Sequence, residues 1–201
     1  HHQSHAANVF FTSPFEEALI ITIDGGGADY RDGRENSWKD LDTYLGDNGV
    51  ITATTFWKGK GNKITPLKMI DKGGFNIGLY WDVCTYNIFG LNRNPVKRGE
   101  EGTVMGMAAF GNPDKYLKYF RNLNNARLTK DWGPYEMDFL RKEAEKSEQN
   151  KFDIAASLQK ETEKVIKNLL DPFIKEHNPK NICLSGGVSL NCVMTGKMLD
   201  W

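Results

Sequence analysis

Three of the chain's four histidines fall within its first five residues, His1-His2-Gln3-Ser4-His5; the fourth, His177, stands alone. His1 and His5 are four apart, so on a helix they lie one turn apart on one face. That spacing lets two imidazole nitrogens hold a single divalent ion. His2 points elsewhere, where its ring could orient a substrate or act as an acid–base group, since imidazole titrates near neutrality. A third donor is offered by Asp24, which ends the apolar run Ala18-Leu19-Ile20-Ile21-Thr22-Ile23 and opens Asp24-Gly25-Gly26-Gly27. Two imidazoles and one carboxylate leave open coordination positions, as a catalytic Fe(II)-like or zinc ion requires. Spacing alone leaves two other readings open. One is a pair of surface histidines beside an ordinary turn aspartate. The other is a tag remnant, although tags are runs of histidine and this cluster is interrupted and flows into Ala6-Ala7-Asn8-Val9-Phe10-Phe11.

A second group is Ser185-Gly186-Gly187 with Asn191. A strand running into a Gly-Gly turn at a helix start offers free N–H groups and a positive dipole end, which suits a nucleotide or acyl-phosphate. A tight strand–helix connection without a ligand is the equal alternative. The glycines after Asp24 could also bracket a phosphate. Two glycine-rich turns ending two buried strands and facing one cleft fit nucleotide-binding folds better than either turn alone. The spacing excludes GxxxxGK[ST], and GxGxxG is absent. In Glu101-Gly102-Thr103-Val104-Met105-Gly106-Met107-Ala108-Ala109-Phe110-Gly111 the small residues read as a packed core loop, with Glu101 the one member suited to chemistry. His177, before Asn178-Pro179, reads as a helix-end contact.

The elements that must position these residues follow from the apolar pattern. His1 to Phe11 reads as a helix closed by Thr12-Ser13-Pro14, and 18–23 as a strand buried on both faces. The DGGG turn follows, then a polar loop from Ala28 to Asn48. Val50 to Trp57 reads as a β-branched strand, Gly59 to Asn62 as a hairpin turn, and Lys63 to Leu67 as the returning strand. Together they predict a small antiparallel meander. Phe75 to Gly90 reads as a buried helix. Residues 112–150 read as charged surface structure, with Arg141 to Lys151 a solvated face or linker. Phe152 to Leu170 carries a clear helical stripe, capped by Asp153 and interrupted at Asp171-Pro172. Asn181 to Leu184 reads as a short strand, and a final helix runs from the Gly-Gly turn to near Trp201.

Length and composition bound the rest. The 201 residues fit one domain or a large piece of one, and a chain that opens on His reads as a fragment or processed product. Lys+Arg and Asp+Glu are 26 each, which argues against a nonspecific electrostatic binder of nucleic acid or membrane. No apolar run reaches the roughly 18 residues of a membrane helix. Cys84, Cys183 and Cys192 are widely spaced and form no CxxC pair; Cys183 and Cys192 read as reduced core residues, so a cytoplasmic setting is expected.

Four stretches, HHQSHAANVFF…SPFEEALIITIDGGG, EGTVMGMAAFG, FDIAASLQKETE and NICLSGGVSLNCVMTGKM, resemble the O-carbamoyltransferases that act on nodulation factors and several antibiotics. They span the chain in a family-like order. The resemblance implies an α/β domain of the actin–Hsp70–sugar-kinase (ribonuclease H-like) type, here a partial carbamoyl-transfer domain over 1–201, incomplete at both ends. It implies that carbamoyl phosphate and ATP are joined into carbamoyl-adenylate by a YrdC-like domain not contained here, and that the present domain passes the carbamoyl group to a hydroxyl acceptor. It implies a metal, iron foremost, on His1, His5 and Asp24, with a further aspartate beyond Trp201. It implies adenylate contacts at Ser185, Gly186, Gly187 and Asn191; beside these, the DGGG turn offers Gly25 and Gly26 to the phosphate, and His2 and Asp24 are the residues expected in the chemistry. Two departures from the family pattern stand out: Thr103 where a lysine is usual, and Ala28-Asp29 after the glycines. The isolated fragment is expected to be inactive alone, and missing sheet partners leave room for homo-oligomers. The rival functions are tRNA threonylcarbamoyl transfer, a kinase or ATPase of the same superfamily, and a degenerate nucleotide-binding domain.

Overall fold

The computed structural model describes residues 1–30, 49–71, 77–91, 99–120 and 134–201. These residues form a mixed α/β structure that divides into two compact units. The first comprises His1–Gly78 and Phe173–Leu190; the second comprises Leu79–Pro172 and Asn191–Trp201.

In the first unit, α1 (His2–Phe11) leads into β1 (Glu17–Tyr30), β2 (Gly49–Lys60) and β3 (Lys63–Asp71), and β4 (Ile182–Ser185) completes a four-stranded sheet of order β3-β2-β1-β4. β1, β2 and β3 form the expected antiparallel meander, and β4 runs parallel to β1, pairing Thr22 with Ser185. The β2–β3 hairpin turns at Gly61-Asn62, where Gly61 takes a φ of 57°. Ile20, Ile21 and Ile23 have no exposed surface, so β1 is buried on both faces. Each such side chain contributes about 1.5–3 kcal/mol. On one face, α1 buries His2, Ala6 and Phe10, a four-residue repeat that makes a single stripe. Phe10 packs with Ala18, Ile20, Trp57 and Cys183. Gly59 leaves room for its ring, since a Cβ there would stand 2.7 Å from Phe10 Cε2. On the other face, Phe56 stacks on Phe173 with ring centroids 3.8 Å apart.

The sequence reading of Asp24 to Gly27 as the turn that ends β1 needs correction. The strand continues to Tyr30 through a bulge: Ile23 pairs with Thr54 and Gly27 with Thr52, so three residues of β1 stand opposite Ala53 alone. Gly26, at φ 140°, supplies the backbone conformation the bulge needs. The expected polar loop therefore begins later than Ala28, and 31–48 lie outside the described residues.

In the second unit, the expected buried helix is α2 (Ile77–Asn87), whose first two residues belong to the other unit. The Glu101–Gly111 stretch is not a core loop: it is helix α3 (Glu101–Ala108), in which only Val104 is buried. Glu101 lies in its first turn, where a carboxylate complements the helix dipole. The charged 141–151 run is also helical, divided between α4 (Pro134–Lys146) and α5 (Glu148–His177). α5 passes through Pro172 rather than stopping there; its last residues, from Phe173, belong to the first unit, and it ends with Asn178 at φ 40°, whose N–H bonds to the Ile174 carbonyl. Trp81 Nε1 donates to Thr162 Oγ1 at 2.9 Å. Cys84 and Cys183 are buried, which pushes both thiols up, whereas Cys192 is exposed rather than in the core. Among the described residues, no helix is long and apolar enough to cross a membrane.

Asp153 does not cap α5; it lies inside it as a buried hub. Its carboxylate accepts from Asn112 N–H at 2.8 Å, Lys115 Nζ at 2.8 Å and Gln149 Nε2 at 2.9 Å. Burial raises its pKa, but these donors outweigh burial and hold the carboxyl below its usual range. A depressed folded pKa gives stability that is complete above the unfolded value of about 3.9 and is lost as pH falls through the folded value. Asp153→Asn is therefore expected to lose about 1–3 kcal/mol at pH 7. The gap to wild type should shrink below about pH 4. Urea melts at pH 7 and pH 3 check both points.

Candidate metal centre

The α1 stripe dictates where the histidines point. With His2, Ala6 and Phe10 turned into the sheet, His1 and His5 sit one position earlier on the helical wheel and face Asp24 in the β1 bulge. His1 precedes the first turn, and its carbonyl accepts from Ser4 and His5 N–H at 3.0 and 3.2 Å. Both rings reach the same carboxylate oxygen: His1 Nε2 lies 2.8 Å and His5 Nε2 3.1 Å from Asp24 Oδ2. The other oxygen, Oδ1, accepts from Gly25 N–H at 2.7 Å, which fixes the carboxylate plane. One donor atom from each of His1, His5 and Asp24 lies within 4.8 Å of the others. The side chains are 40%, 31% and 22% exposed, so the centre is open to solvent on one side.

Glycines make this convergence sterically feasible. A Cβ on Gly27 would fall inside the His1 imidazole, so His1 lies directly over the bulge. A Cβ on Gly78 would stand 2.5 Å from Gly25 N, so that residue packs on the Asp24–Gly25 peptide. Gly186, at φ 97°, lies against the Ile23 carbonyl, and a Cβ on Gly187 would stand 2.9 Å from Asp24 Oδ1. The Ser185-Gly186-Gly187 corner is thus seated beside Asp24, because β4 leaves its parallel pairing with β1 at Thr22–Ser185, just before the bulge. It leads into a short 3₁₀ turn, Gly187–Leu190, rather than directly into a long helix; Ser189 N–H and hydroxyl both close on the Gly186 carbonyl at 2.9 and 2.5 Å.

The chain belongs to the carbamoyltransferase family. A family model described as "Carbamoyltransferase N-terminus" matches residues 1–200. An uncharacterized protein from Synechocystis is 31% identical over 99% of this chain and 31% of its own length. The nodulation protein NolNO of Sinorhizobium fredii is 30% identical over 99% of this chain and 26% of its own. The nodulation protein NolO of Bradyrhizobium diazoefficiens is 28% identical over 99% and 33%. The chain therefore spans about a quarter to a third of the length of these relatives.

Within this member of the carbamoyltransferase family the other expected site residues stand differently. Asn191 belongs to the second unit, where its side chain caps α6 (Cys192–Lys197) by accepting from Met194 N–H at 3.0 Å. Its amide also pairs with Gln159 in both directions, at 2.7 and 3.1 Å. His2 has no exposed surface, and both its ring nitrogens are engaged: Nδ1 with Thr22 Oγ1 at 2.8 Å and Nε2 with the Thr52 carbonyl at 2.9 Å. A ring enclosed in this way offers no nitrogen to a substrate, so the acid–base role expected for His2 is withdrawn. The sequence reading took Gly27 only as a possible phosphate contact and passed over Gly78, Thr22 and Thr52. The third consecutive glycine of the DGGG run was the one available hint, since Gly25 and Gly26 alone would have served a turn.

Proposed function

We propose that this chain carries the carbamoyl-transfer centre of an O-carbamoyltransferase of the actin-like, ribonuclease H-like type. The observation that carries the proposal is the meeting of His1, His5 and Asp24 beside the Gly186-Gly187 corner, in a chain of the carbamoyltransferase family. A sheet ordered β3-β2-β1-β4, with three antiparallel strands and a parallel fourth, supports that fold reading.

The donor set fits a transition-metal ion better than magnesium, which prefers carboxylates, phosphates and water to imidazole. His1 and His5 would hold Fe²⁺ or a related ion through Nε2, and Asp24 through Oδ2. When bound, the ion supplies a Lewis acid for a carbamoyl or phosphate oxygen. The chain's own residues do the rest. The Gly25 N–H orients the carboxylate. The corner at Gly186-Gly187, lacking side chains, admits the phosphate of carbamoyl-adenylate close to backbone N–H groups. The acceptor's hydroxyl oxygen then bonds to the carbamoyl carbon, the bond from that carbon to the phosphate oxygen breaks, AMP leaves, and the hydroxyl proton passes to water at the solvent-open side of the centre. The need for two imidazoles favours this reading over a magnesium-dependent kinase or ATPase.

The test is calorimetric titration of the chain with 5′-O-sulfamoyladenosine, an uncleavable stand-in for the adenylate, in the presence of Fe²⁺. Binding is expected, and Gly187→Ala should weaken it by about ten-fold or more, because the new methyl crowds both the phosphate position and Asp24. Absence of binding by the wild type, or undisturbed binding by Gly187→Ala, counts against the proposal.

A further inference from the structure

His2 is not needed to fill space. The stripe it heads is otherwise apolar, and an aliphatic side chain would close the same face. Instead a fully buried ring reaches two strands at once, Thr22 on β1 and the Thr52 carbonyl on β2. A carbonyl only accepts, so Nε2 carries the proton. Nδ1 of the neutral ring then accepts from the Thr22 hydroxyl, whose other acceptor, the Thr55 carbonyl, is farther away at 3.4 Å.

These two anchor points bracket the bulge that presents Asp24. Thr22 precedes Asp24 by two residues on β1. Thr52 pairs with Gly27 on the far side of the bulge and sends its own hydroxyl to the Gly27 carbonyl at 3.3 Å. His1 and His5 stand on either side of His2 along the chain, their ring centroids 5.3 and 6.2 Å from its own. A rotation or slide of α1 that broke the His2 bonds would carry both Nε2 atoms away from Asp24.

We infer that His2 is a positioning residue of the metal centre: by tying α1 to β1 and β2 on both sides of the bulge, it sets the rotation at which His1 and His5 face Asp24. This rests on the metal reading proposed above. Such a residue touches neither ion nor substrate and acts through the ligands it orients.

Cobalt(II) titration of the full chain tests it, because the visible d–d bands report ligand number and geometry without any turnover. His2→Leu keeps the stripe filled and removes both bonds. Thr22→Val removes only the partner of Nδ1. The expected loss of Co²⁺ affinity is about ten- to a hundred-fold for His2→Leu and about three- to ten-fold for Thr22→Val, with altered band intensities. His2→Gln, whose terminal amide keeps a donor for the Thr52 carbonyl, should recover part of the loss. All affinities are measured well below each variant's melting midpoint, with far-UV circular dichroism as the check on folding. Wild-type affinity and spectrum in folded His2→Leu, or in Thr22→Val should His2→Leu not fold, overturns the inference and leaves the metal reading standing. A wild-type chain that takes up no Co²⁺ overturns both.

Discussion

Alanine at both His1 and His5 is expected to abolish uptake of the proposed divalent ion while leaving the chain folded. The two rings supply both nitrogen donors of the cluster, and their loss leaves one carboxylate, already bonded to Gly25 N–H through its other oxygen. Loss of partners that merely orient a ligand costs about 10- to 100-fold in metal affinity, so loss of two direct ligands should exceed about 100-fold. Stability should change little, because both side chains are about a third exposed and make no contribution to the buried His2-Ala6-Phe10 stripe. Partly exposed positions of this kind cost within about 0.5 kcal/mol. Elemental analysis after dialysis, with a thermal melt on the same samples, reads both quantities. Wild-type metal content in the double variant removes the centre from the mechanism. Asp24→Asn should also lose the ion, because the amide keeps the shape but offers no charge to complement a divalent cation.

What the sequence disclosed and what it hid follow from the range of the interactions involved. The His1–His5 pairing was legible because a four-residue spacing on a helix is local geometry. So was the β1–β2–β3 meander, marked by β-branched residues and the Gly61-Asn62 turn. The bulge at Asp24 was not legible, since it exists only relative to β2, where the flanking residues Ile23 and Gly27 find their partners at Thr54 and Thr52, far along the chain. The same holds for His2: a partner at Thr52 is invisible until the strands are in register. One clue was at hand, because His2, Ala6 and Phe10 form a stripe in which His1 and His5 have no place, and two adjacent histidines on a helix cannot face the same way. The helix α3 was hidden by Gly102 and Gly106, which weaken helix propensity. The 141–151 run has strong helix formers but too few apolar residues to announce a face, so it read as a solvated linker.

Gly27→Ala separates the proposed metal centre from the fold more sharply than any ligand substitution. In an ordinary strand, replacing glycine with alanine is mildly favourable, because the unfolded chain loses more freedom than the folded one. Gly27 has no positive φ to forbid a side chain. The obstacle is the His1 ring, which occupies the place the methyl would take. Something must move, and the imidazole is the most mobile group in contact; the backbone of β1 is held by the Gly27–Thr52 pairing and by the Thr52 hydroxyl on the Gly27 carbonyl. The ring should swing off Asp24 and carry its 2.8 Å contact with it, leaving His5 and Asp24 as a two-donor site. The expected result is a loss of Co²⁺ affinity of about ten-fold or more with a melting midpoint within a few degrees of wild type. Gly111→Ala in the second unit is the contrast: there the methyl would strike the Phe152 carbonyl, part of the α5 backbone, which has no such freedom. That variant should lose stability outright. If Gly27→Ala instead behaves like Gly111→Ala, or binds Co²⁺ as tightly as wild type, then His1 is not held over the bulge as a ligand.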